Sequence, residues 1–353
     1  MYNCVKEILG YHNDEVTLPQ SERDEMRERR DINRRRVRNG LAENNDPKPY
    51  EFATQGSYAM KTMVQHPARD YDIDDGIYFK KADLVKADGT DRTPPEARQM
   101  VRDAVDDGSF KRKPEVRDKC VRIYYDAGYH VDIPVYRRVV SKDIFGNEQV
   151  HFELACGNEW KRSDAREVTS WFDRENQRQS PDVTNGRQLR RMTRDLKKFA
   201  CSRSTWRGQI ASGFMITKLV TECYRPNLER EDRALYDTIK MMRDRLEFNL
   251  EVRHPVTPNE TITSGPEDPK ALFLKERLSQ ALSWLSVLFE TDCTRKKALA
   301  AWDLVFNTSY FSEKLEAEEA AKSNVAPAYV SSYVISSPGR VVTPRPPFGE
   351  NVA

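Results

Sequence analysis

The sequence has few of the features that mark secreted, zinc-binding or membrane proteins. Its six cysteines are scattered and include no Cys-x-x-Cys pair, which argues against a disulfide framework and against a structural zinc site. No apolar run approaches the roughly 18–20 residues of a membrane span, and the N-terminus lacks the apolar region of a signal peptide. We therefore expect a cytoplasmic protein that does not enter a membrane.

A strong charge of one sign is also absent. The 58 basic and 56 acidic residues leave a net charge of +2, whereas a dedicated DNA-binding protein is usually more basic. His66, His151 and His254 show no metal-ligand spacing. The 353 residues, 38% of them hydrophobic, are enough for one large domain or two smaller ones with a real core.

What the sequence does contain is a pair of carboxylates on a predicted strand. Asp72 and Asp74 stand two residues apart in a run that ends apolar at Phe79, so both side chains project to one face. Mg²⁺ prefers oxygen ligands and usually takes one or two carboxylates together with substrate phosphates. The pair alone is weak evidence for a metal site, because acidic pairs also occur on solvated strand ends.

Two further features strengthen this interpretation. A Gly56-Ser57 turn precedes the pair, and a glycine lets the backbone approach a phosphate whose oxygens N–H groups and a hydroxyl can bind. Asp132 lies inside an apolar predicted strand, where an unpartnered carboxylate is costly. A metal ion held by Asp72 and Asp74 would be that partner, and the three acids together predict nucleotidyl transfer.

The combination of Gly-Ser, Asp-x-Asp and a third Asp resembles the DNA polymerase β-like nucleotidyltransferases. The local sequences of residues 72–76 (DIDDG) and 130–136 (HVDIPVY) are similar to those of the cGAS/DncV-like (CD-NTase) family, most of all to its bacterial cyclic GMP-AMP synthase branch. Residues 160–172 and 189–199 continue the similarity, which covers roughly residues 50–310. The zinc-binding insert of the animal relatives has no counterpart here.

The resemblance implies an α+β fold in four parts. These are an N-terminal segment with a spine helix (1–44), a polymerase β-like catalytic lobe with a mixed or antiparallel sheet (45–160), a helical nucleotide-binding lobe (161–322) and a flexible tail (323–353). The tail is rich in Ser and Pro and cannot bury enough apolar surface to order itself. Apolar periodicity and turn residues add finer expectations: a helix that starts near Pro95 and is closed by Gly108, helices at 188–201, 210–224, 231–250 and 269–290, a strand at 117–125 and a hairpin at 141–160. Residues 294–322 are expected to close the helical lobe.

The resemblance also implies the chemistry. Asp72, Asp74 and Asp132 would be the catalytic residues and the ligands of two Mg²⁺ ions, for which Mn²⁺ can substitute. A ribose hydroxyl would attack the α-phosphorus of an NTP (ATP, GTP or both) and expel pyrophosphate, and a second transfer would close a ring. The product would activate a separate effector in bacterial antiphage (CBASS) signalling. A ubiquitin-ligase-like partner could act on the C-terminus, and no nucleic-acid activator is expected.

Substrate contacts follow from the same resemblance. The implied substrate-binding residues are Gln55, Gly56, Ser57, Arg122, Ser163, Lys197 and Ser212. Structural interpretations stay open for some of them: Arg122 would also suit a surface ion pair, and Ser163 would also suit a helix cap. Lys198 is an alternative to Lys197 as the phosphate contact, and His130 is expected beside the site.

Other points remain open from the sequence. Ser21 and Asp24 resemble a capping box for the spine helix. The Arg34–Arg36 run is expected on the solvated face of that helix, with a phosphate or partner contact as the alternative. Met60 stands where the similar cyclases have an aromatic residue near the donor base, which leaves the choice of base undecided. The alternative functions are a linear oligonucleotide synthase, an RNA-acting nucleotidyltransferase and a catalytically silent nucleotide-binding interaction module.

Overall fold

A mixed sheet of eight strands organises the N-terminal half of the protein. The computed structural model describes residues 1–66, 69, 71–126, 128–257 and 259–323. Within them the strands are β1 (Glu51–Gln55), β2 (Tyr71–Lys80), β3 (Glu115–Val116), β4 (Val121–Tyr124), β5 (Tyr129–Ile133), β6 (Val135–Lys142), β7 (Glu148–Cys156) and β8 (Glu159–Arg162). The expected strand at 117–125 is therefore shorter, while the expected hairpin at 141–160 corresponds to β6 and β7.

Strand β2 lies at the centre of this sheet. It pairs antiparallel with β1 and parallel with both β5 and β6, which follow each other across Pro134. Strand β4 pairs antiparallel with β5, and β7 pairs antiparallel with β6. The buried side chains of β2 include Ile73, Ile77 and Phe79, which fix its register because a slip of one residue would turn all three to the face that carries Asp72 and Asp74.

Helices make up most of the remaining chain. They are α1 (Val5–Tyr11), α2 (Gln20–Glu43), α3 (Gly56–Ala59), α4 (Pro94–Val105), α5 (Ala165–Gln179), α6 (Gln188–Cys201), α7 (Gly213–Cys223), α8 (Glu231–Phe248), α9 (Pro269–Leu285), α10 (Arg295–Phe306) and α11 (Tyr310–Ser323). A π-helical turn at His12–Val16 follows α1. Short 3₁₀ turns lie at Lys81–Asp83, Thr184–Gly186, Ser204–Trp206 and Ser286–Phe289.

The sheet followed by helices confirms the predicted α+β class. Residues Met1–Glu313 form one compact unit, and a second unit begins at Lys314. The four predicted parts remain predictions, and the predicted tail lies outside the described residues except for Ser323. The segment 294–322, expected to close the helical lobe, contains two helices, α10 and α11.

The spine helix α2 is present, but two details of its prediction are wrong. It begins after Pro19 without a side-chain cap, so Ser21 and Asp24 do not form a capping box. The arginine run is not uniformly solvated, because Arg34 donates to both oxygens of Asp75 at 2.7 and 2.5 Å and Arg36 to Asp107 at 2.7 Å. These ion pairs attach α2 to the sheet and to the end of α4.

Helix α4 covers one side of the sheet. It begins with a capping box between Thr93 and Glu96, which satisfies N–H groups that a helix start leaves without partners. Its apolar positions recur at helical spacing and are buried, as expected; they are Ala97, Met100, Val101, Ala104 and Val105. The α2 backbone comes so close at Gly40 that a Cβ there would lie 2.0 Å from the Ala104 carbonyl oxygen.

Candidate active site

Strand pairing brings the three predicted carboxylates together. Asp72 and Asp74 share one face of β2, and Asp74 lies directly opposite Asp132 on the parallel strand β5. Asp75 faces the other way and binds Arg34, so the register expected from the sequence is correct. The parallel pairing matters because it places β2 and β5 residues of equal depth side by side at one end of the sheet.

The Gly-Ser turn closes over this acidic cluster. Strand β1 ends at Gln55, and Gly56 then adopts a left-handed φ of +63° before the short helix α3. A Cβ on Gly56 would lie 2.1 Å from Oδ2 of Asp74. Only glycine therefore allows the turn to approach Asp74 at this point, for both conformational and steric reasons.

The carboxylates repel one another in the absence of a cation. Burial, together with the charges of Asp132 and Asp72, raises the pKa of Asp74 to about 7. Asp72 is more exposed, and its Oδ1 lies 3.3 Å from Nδ1 of His130, which is a strand residue beside the site as expected. A cation near Asp74 would favour its charged form, because opposite charge lowers the pKa of a carboxyl group.

Arg122 is the cation that the structure places against these acids. Its Nε and Nη2 donate to the two oxygens of Asp132 at 2.8 and 2.7 Å, and Nη2 lies 3.6 Å from Oδ1 of Asp72. The hydrogen bonds to Asp132 raise the pKa of the Arg122 guanidinium. The ion pair considered for Arg122 therefore exists, but it lies inside the acidic cluster rather than on an unrelated surface.

The donor set fits a divalent metal ion in its chemistry. Three carboxylates on adjacent strands supply the hard oxygen ligands that Mg²⁺ takes. The Arg122 guanidinium supplies the positive charge next to Asp132. In the described part of the chain, no three His, Cys, Asp or Glu side chains surround a single metal position as they stand. Asp132, bound by Arg122, would have to be shared with or released to an ion.

A cavity of about 1080 Å³ opens beside the carboxylates, which is at the upper end of the usual size of ligand pockets. Its lining includes Gly56, Ser57, Asp72, Asp74, Ser163 and Lys197. The opposite wall is formed by α6, α7 and the segment that begins at His254. Six of the predicted site residues thus share one cavity.

Lys197 is the buried cation of the opposite wall. Its Nζ donates to the Thr62 hydroxyl at 2.8 Å, and burial lowers the pKa of its amine to about 7. Lys198, the alternative, donates instead to the backbone carbonyl of Gln65 at 3.1 Å. Of the two lysines, only Lys197 is among the described residues that line the cavity.

Two predicted substrate contacts, Ser163 and Ser212, lie at the starts of helices. Helix α5 is capped by Asp164, whose carboxylate accepts from the Arg166 N–H, so the cap interpretation of Ser163 is wrong. Ser212 caps α7 by accepting from the Met215 N–H at 3.2 Å.

Gln55 is buried beneath the turn rather than exposed in the cavity. Its Nε2 donates to the Tyr78 hydroxyl at 2.8 Å, and its Oε1 accepts from the Tyr136 hydroxyl at 3.1 Å. Its side chain therefore positions the turn that follows it.

Other residues at the site carried no signal in the sequence. The rings of Phe214 and His254 line the cavity with centroids 5.4 Å apart. The Arg166 guanidinium lies over the rings of Tyr78 and Phe152 at 4.3 and 4.2 Å. These residues come from distant segments, and only the packing of helices against the sheet brings them together.

Residues 50–136 match the family model of the nucleotidyltransferase domain of cyclic GMP-AMP synthase DncV-like proteins. This segment is a DncV-like nucleotidyltransferase domain. For this segment the match bears out the predicted resemblance to the cGAS/DncV-like family, and with it the predicted enzyme class, a nucleotidyltransferase. The domain contains the Gly56-Ser57 turn, Arg122 and all three carboxylates, whereas the contacts predicted from the helical part lie beyond its end.

Solved structures share the fold well outside the nucleotidyltransferase domain. A mutant of the Vibrio cholerae di-nucleotide cyclase DncV in complex with ATP and GTP is 17% identical, with a TM-score of 0.67 over 86% of this chain and 96% of that one. The Bradyrhizobium diazoefficiens CD-NTase CdnG in complex with GTP is 16% identical, with a TM-score of 0.66 over 89% and 98%. Escherichia coli CdnC with ATP is 15% identical, with a TM-score of 0.62 over 87% and 98%.

The TM-scores of 0.62–0.67 establish a common fold over 86–89% of this chain. None of the helices in the described residues has the length and apolar character needed to cross a membrane.

Proposed function

We propose that this nucleotidyltransferase is a cyclic oligonucleotide synthase that uses ATP, GTP or both and releases pyrophosphate. The observation that carries the proposal is the row of three carboxylates on adjacent strands, of which Asp72 and Asp74 line a cavity that Lys197 also borders. The bound ATP and GTP of the similar DncV structure support this choice of substrates. A DncV structure with a linear intermediate, pppA(3′,5′)pG, supports a reaction that proceeds through two transfers.

The carboxylates would bind metal ions, and the Gly56-Ser57 turn would position the phosphates. Asp72 and Asp74 would hold two Mg²⁺ ions, or Mn²⁺ in their place, with Asp132 as a ligand of one of them. Such ions neutralise phosphate charge and lower the pKa of an attacking hydroxyl. The turn at Gly56 and Ser57 would hold phosphate oxygens beside them. Positioning and electrostatic stabilisation provide most of the catalysis in phosphoryl and nucleotidyl transfer.

Lys197 would bind the triphosphate from the opposite wall. Its amine is largely neutral above its pKa of about 7, and a nearby triphosphate favours the protonated form. Binding of an NTP should therefore be accompanied by proton uptake by Lys197 at pH 8, and the affinity advantage that this amine gives the parent should shrink as the pH rises from 6 to 8. Lys198, which is bound to a backbone carbonyl, provides a matched control.

We expect Lys197→Met to raise the NTP KM by about 10–100-fold, the equivalent of one charge-assisted contact, while Lys198→Met has a much smaller effect. Calorimetry at pH 8 in two buffers of different ionisation enthalpy measures the proton uptake, which Lys197→Met should remove. Because Asp74 is common to both proteins, its own titration cancels in the comparison. Equal small effects of the two substitutions would contradict the assignment of Lys197.

The direct test of the function is an analysis of products. Purified protein is incubated with the four NTPs and Mg²⁺, the mixture is treated with phosphatase, and the products are identified by mass spectrometry. A ring has no terminal phosphate and survives phosphatase intact, whereas a linear oligonucleotide loses its triphosphate. Linear products would favour the linear synthase, and no product from folded protein would favour the catalytically silent module.

Turnover should not depend on added nucleic acid. The net charge of +2 provides no broad excess of cations for a polyanion, and binding through many phosphates would weaken steeply with salt. We expect duplex DNA and RNA to leave the rate of synthesis unchanged at physiological salt. Strong stimulation by DNA, or incorporation of nucleotides into added RNA, would count against a self-contained cyclase.

The resemblance to the cGAS/DncV-like family also suggests a cellular role for the product. The product would activate a separate effector in bacterial antiphage signalling of the CBASS type. The proposed target of a ubiquitin-ligase-like partner, the C-terminus, lies outside the described residues. Removal of residues 324–353 is the appropriate way to separate such a role from the chemistry of the cavity.

A further inference from the structure

We propose that Arg122 competes with a divalent metal ion for Asp132, and that this competition sets the metal affinity of the nucleotide-free site. The inference rests on the proposed function, because it concerns the same carboxylates. It goes beyond that function by assigning to one residue control over when the site accepts its metal. The argument begins with the pairing of three neighbouring strands.

Arg122, Asp132 and Asp74 lie in one row across the sheet. Arg122 is directly opposite Asp132 on the antiparallel pair of β4 and β5, and Asp132 is directly opposite Asp74 on the parallel pair of β5 and β2. Side chains that are directly opposite on adjacent strands lie on the same face and in reach of each other. The guanidinium therefore approaches the acidic cluster along the row, and its place is fixed by strand register.

Both oxygens of Asp132 accept from this guanidinium, at 2.8 and 2.7 Å. The Asp132 side chain is only 10% exposed, so water provides little screening of the contact. A bidentate pair of this kind is among the stronger ionic contacts in proteins. Nη2 also lies 3.6 Å from Asp72, so the one guanidinium neutralises charge on two of the three predicted metal ligands.

A divalent ion bound by Asp132 and the Arg122 guanidinium would repel each other. An ion bound by Asp132 and Asp74 would lie within a few ångströms of a fixed positive charge, and repulsion at that separation is large where screening is weak. The ion must therefore displace the guanidinium from Asp132 or bind more weakly beside it. An arriving triphosphate would ease the exchange, since it adds negative charge for Arg122 to meet, in line with the phosphate contact expected from the sequence.

An opposite role is chemically reasonable and makes opposite predictions. Groups that hydrogen-bond to metal ligands often orient them, and loss of such a group commonly lowers metal affinity by about 10–100-fold. If Arg122 merely orients Asp132, its removal will weaken metal binding. If Arg122 competes with the metal, its removal will strengthen binding.

The sheet offers a matched control for this experiment. Arg137 on β6 is directly opposite Glu153 on β7, and its Nε donates to that carboxylate at 2.5 Å. The Arg137→Gln and Arg122→Gln substitutions each remove one positive charge from a cross-strand pair in the same sheet. Only Arg122→Gln alters charge next to the three acids.

The test is a titration of the full-length, nucleotide-free protein with Mn²⁺, followed by electron paramagnetic resonance. We expect Arg122→Gln to bind Mn²⁺ about 10-fold more tightly than the parent, a change on the scale known for groups beside metal ligands, and Arg137→Gln to match the parent. Thermal unfolding gives a second readout. Arg122→Gln should melt earlier without metal and should gain more from Mn²⁺ than the parent does.

Two results would overturn the inference. Weaker Mn²⁺ binding by Arg122→Gln would show that Arg122 orients the ligand, and unchanged binding would show that it does not control the metal. In either case the parent protein would still bind Mn²⁺ and make product, so the proposed function would stand. Failure of the proposed function is distinct: the folded parent and both variants would then bind no Mn²⁺ and make no product.

Discussion

Asp72→Asn and Asp74→Asn should each abolish synthesis in a protein that remains folded. Asparagine keeps the shape of aspartate and retains one oxygen, but it removes a full negative charge from a site that must hold divalent cations. Changes outside the ligand set of metal sites commonly cost about 10–100-fold, so the loss of a ligand charge should cost more than about 100-fold. Product formation from NTPs and Mg²⁺ measures the effect, and circular dichroism confirms the fold.

Although Asp74→Asn should abolish synthesis, it should make the metal-free protein more stable. Its pKa is raised to about 7 by burial and by its acidic neighbours, so the folded protein binds a proton there more tightly than the unfolded chain. The charged carboxylate therefore destabilises the metal-free fold, fully so above pH 7 and not at all near pH 3. At pH 8 without metal, Asp74→Asn should raise the Tm by about 2–4 °C.

Asp132→Asn and Asp75→Asn separate the roles of the neighbouring acids. Asp132→Asn should reduce turnover more than NTP binding, because Asp132 is proposed to hold the ion at the attacking hydroxyl. Asp75→Asn breaks the ion pair with Arg34 on the other face, so it should lower the Tm while the activity of the folded fraction is retained. Near-normal synthesis by Asp72→Asn, Asp74→Asn and Asp132→Asn would refute the nucleotidyltransferase mechanism.

Gly56→Ala is expected to have the second largest effect. Alanine at this position would keep a left-handed φ of +63° and place its Cβ 2.1 Å from the Asp74 carboxylate, well inside contact distance. Relief requires the turn or Asp74 to move, and misplacement by about 1 Å can cost about 100-fold in rate. We expect a loss of activity on that scale, measured as kcat with saturating NTP and Mg²⁺.

Gly89 provides the control for backbone strain in this experiment. It has a similar left-handed φ of +82°, and a Cβ there would meet nothing within 4 Å. Gly89→Ala should therefore lower the Tm slightly, through the cost of its φ alone, and leave synthesis unchanged. A Gly56→Ala protein with near-normal kcat would show that the contact between the turn and Asp74 is not needed for catalysis.

Local rules were sufficient for much of the site. Strand alternation correctly placed Asp72 and Asp74 on one face and Asp75 on the other, because the side-chain period of a strand holds for any well-packed sheet. The apolar run around Asp132 correctly predicted a neighbouring strand. The buried positions of α4 followed from apolar periodicity, which reflects the one buried face that the helix presents.

The hydrogen-bond and ion-pair partners of charged and polar residues could not be predicted from the sequence. The sequence placed Arg34 on a solvated face and left Arg122 with a choice of partners, whereas the fold pairs Arg34 with Asp75 and Arg122 with Asp132. Gln55 illustrates the same point: adjacent to the Gly-Ser turn in the sequence, it is bonded to two tyrosines beneath it. Partners of this kind come from strands whose register is not visible in the sequence.

The sequence by itself therefore determined the residue types of the site, their faces on β2 and the kind of chemistry they support. Only the tertiary structure decided that Lys197 is buried with a lowered pKa, that Arg122 neutralises Asp132, and that Gly56 must be glycine to clear Asp74. The physical reason is the separation along the chain of the residues that interact. Side-chain alternation depends on the nearest residues along the chain, whereas burial, charge pairing and close approach depend on residues that only packing brings together.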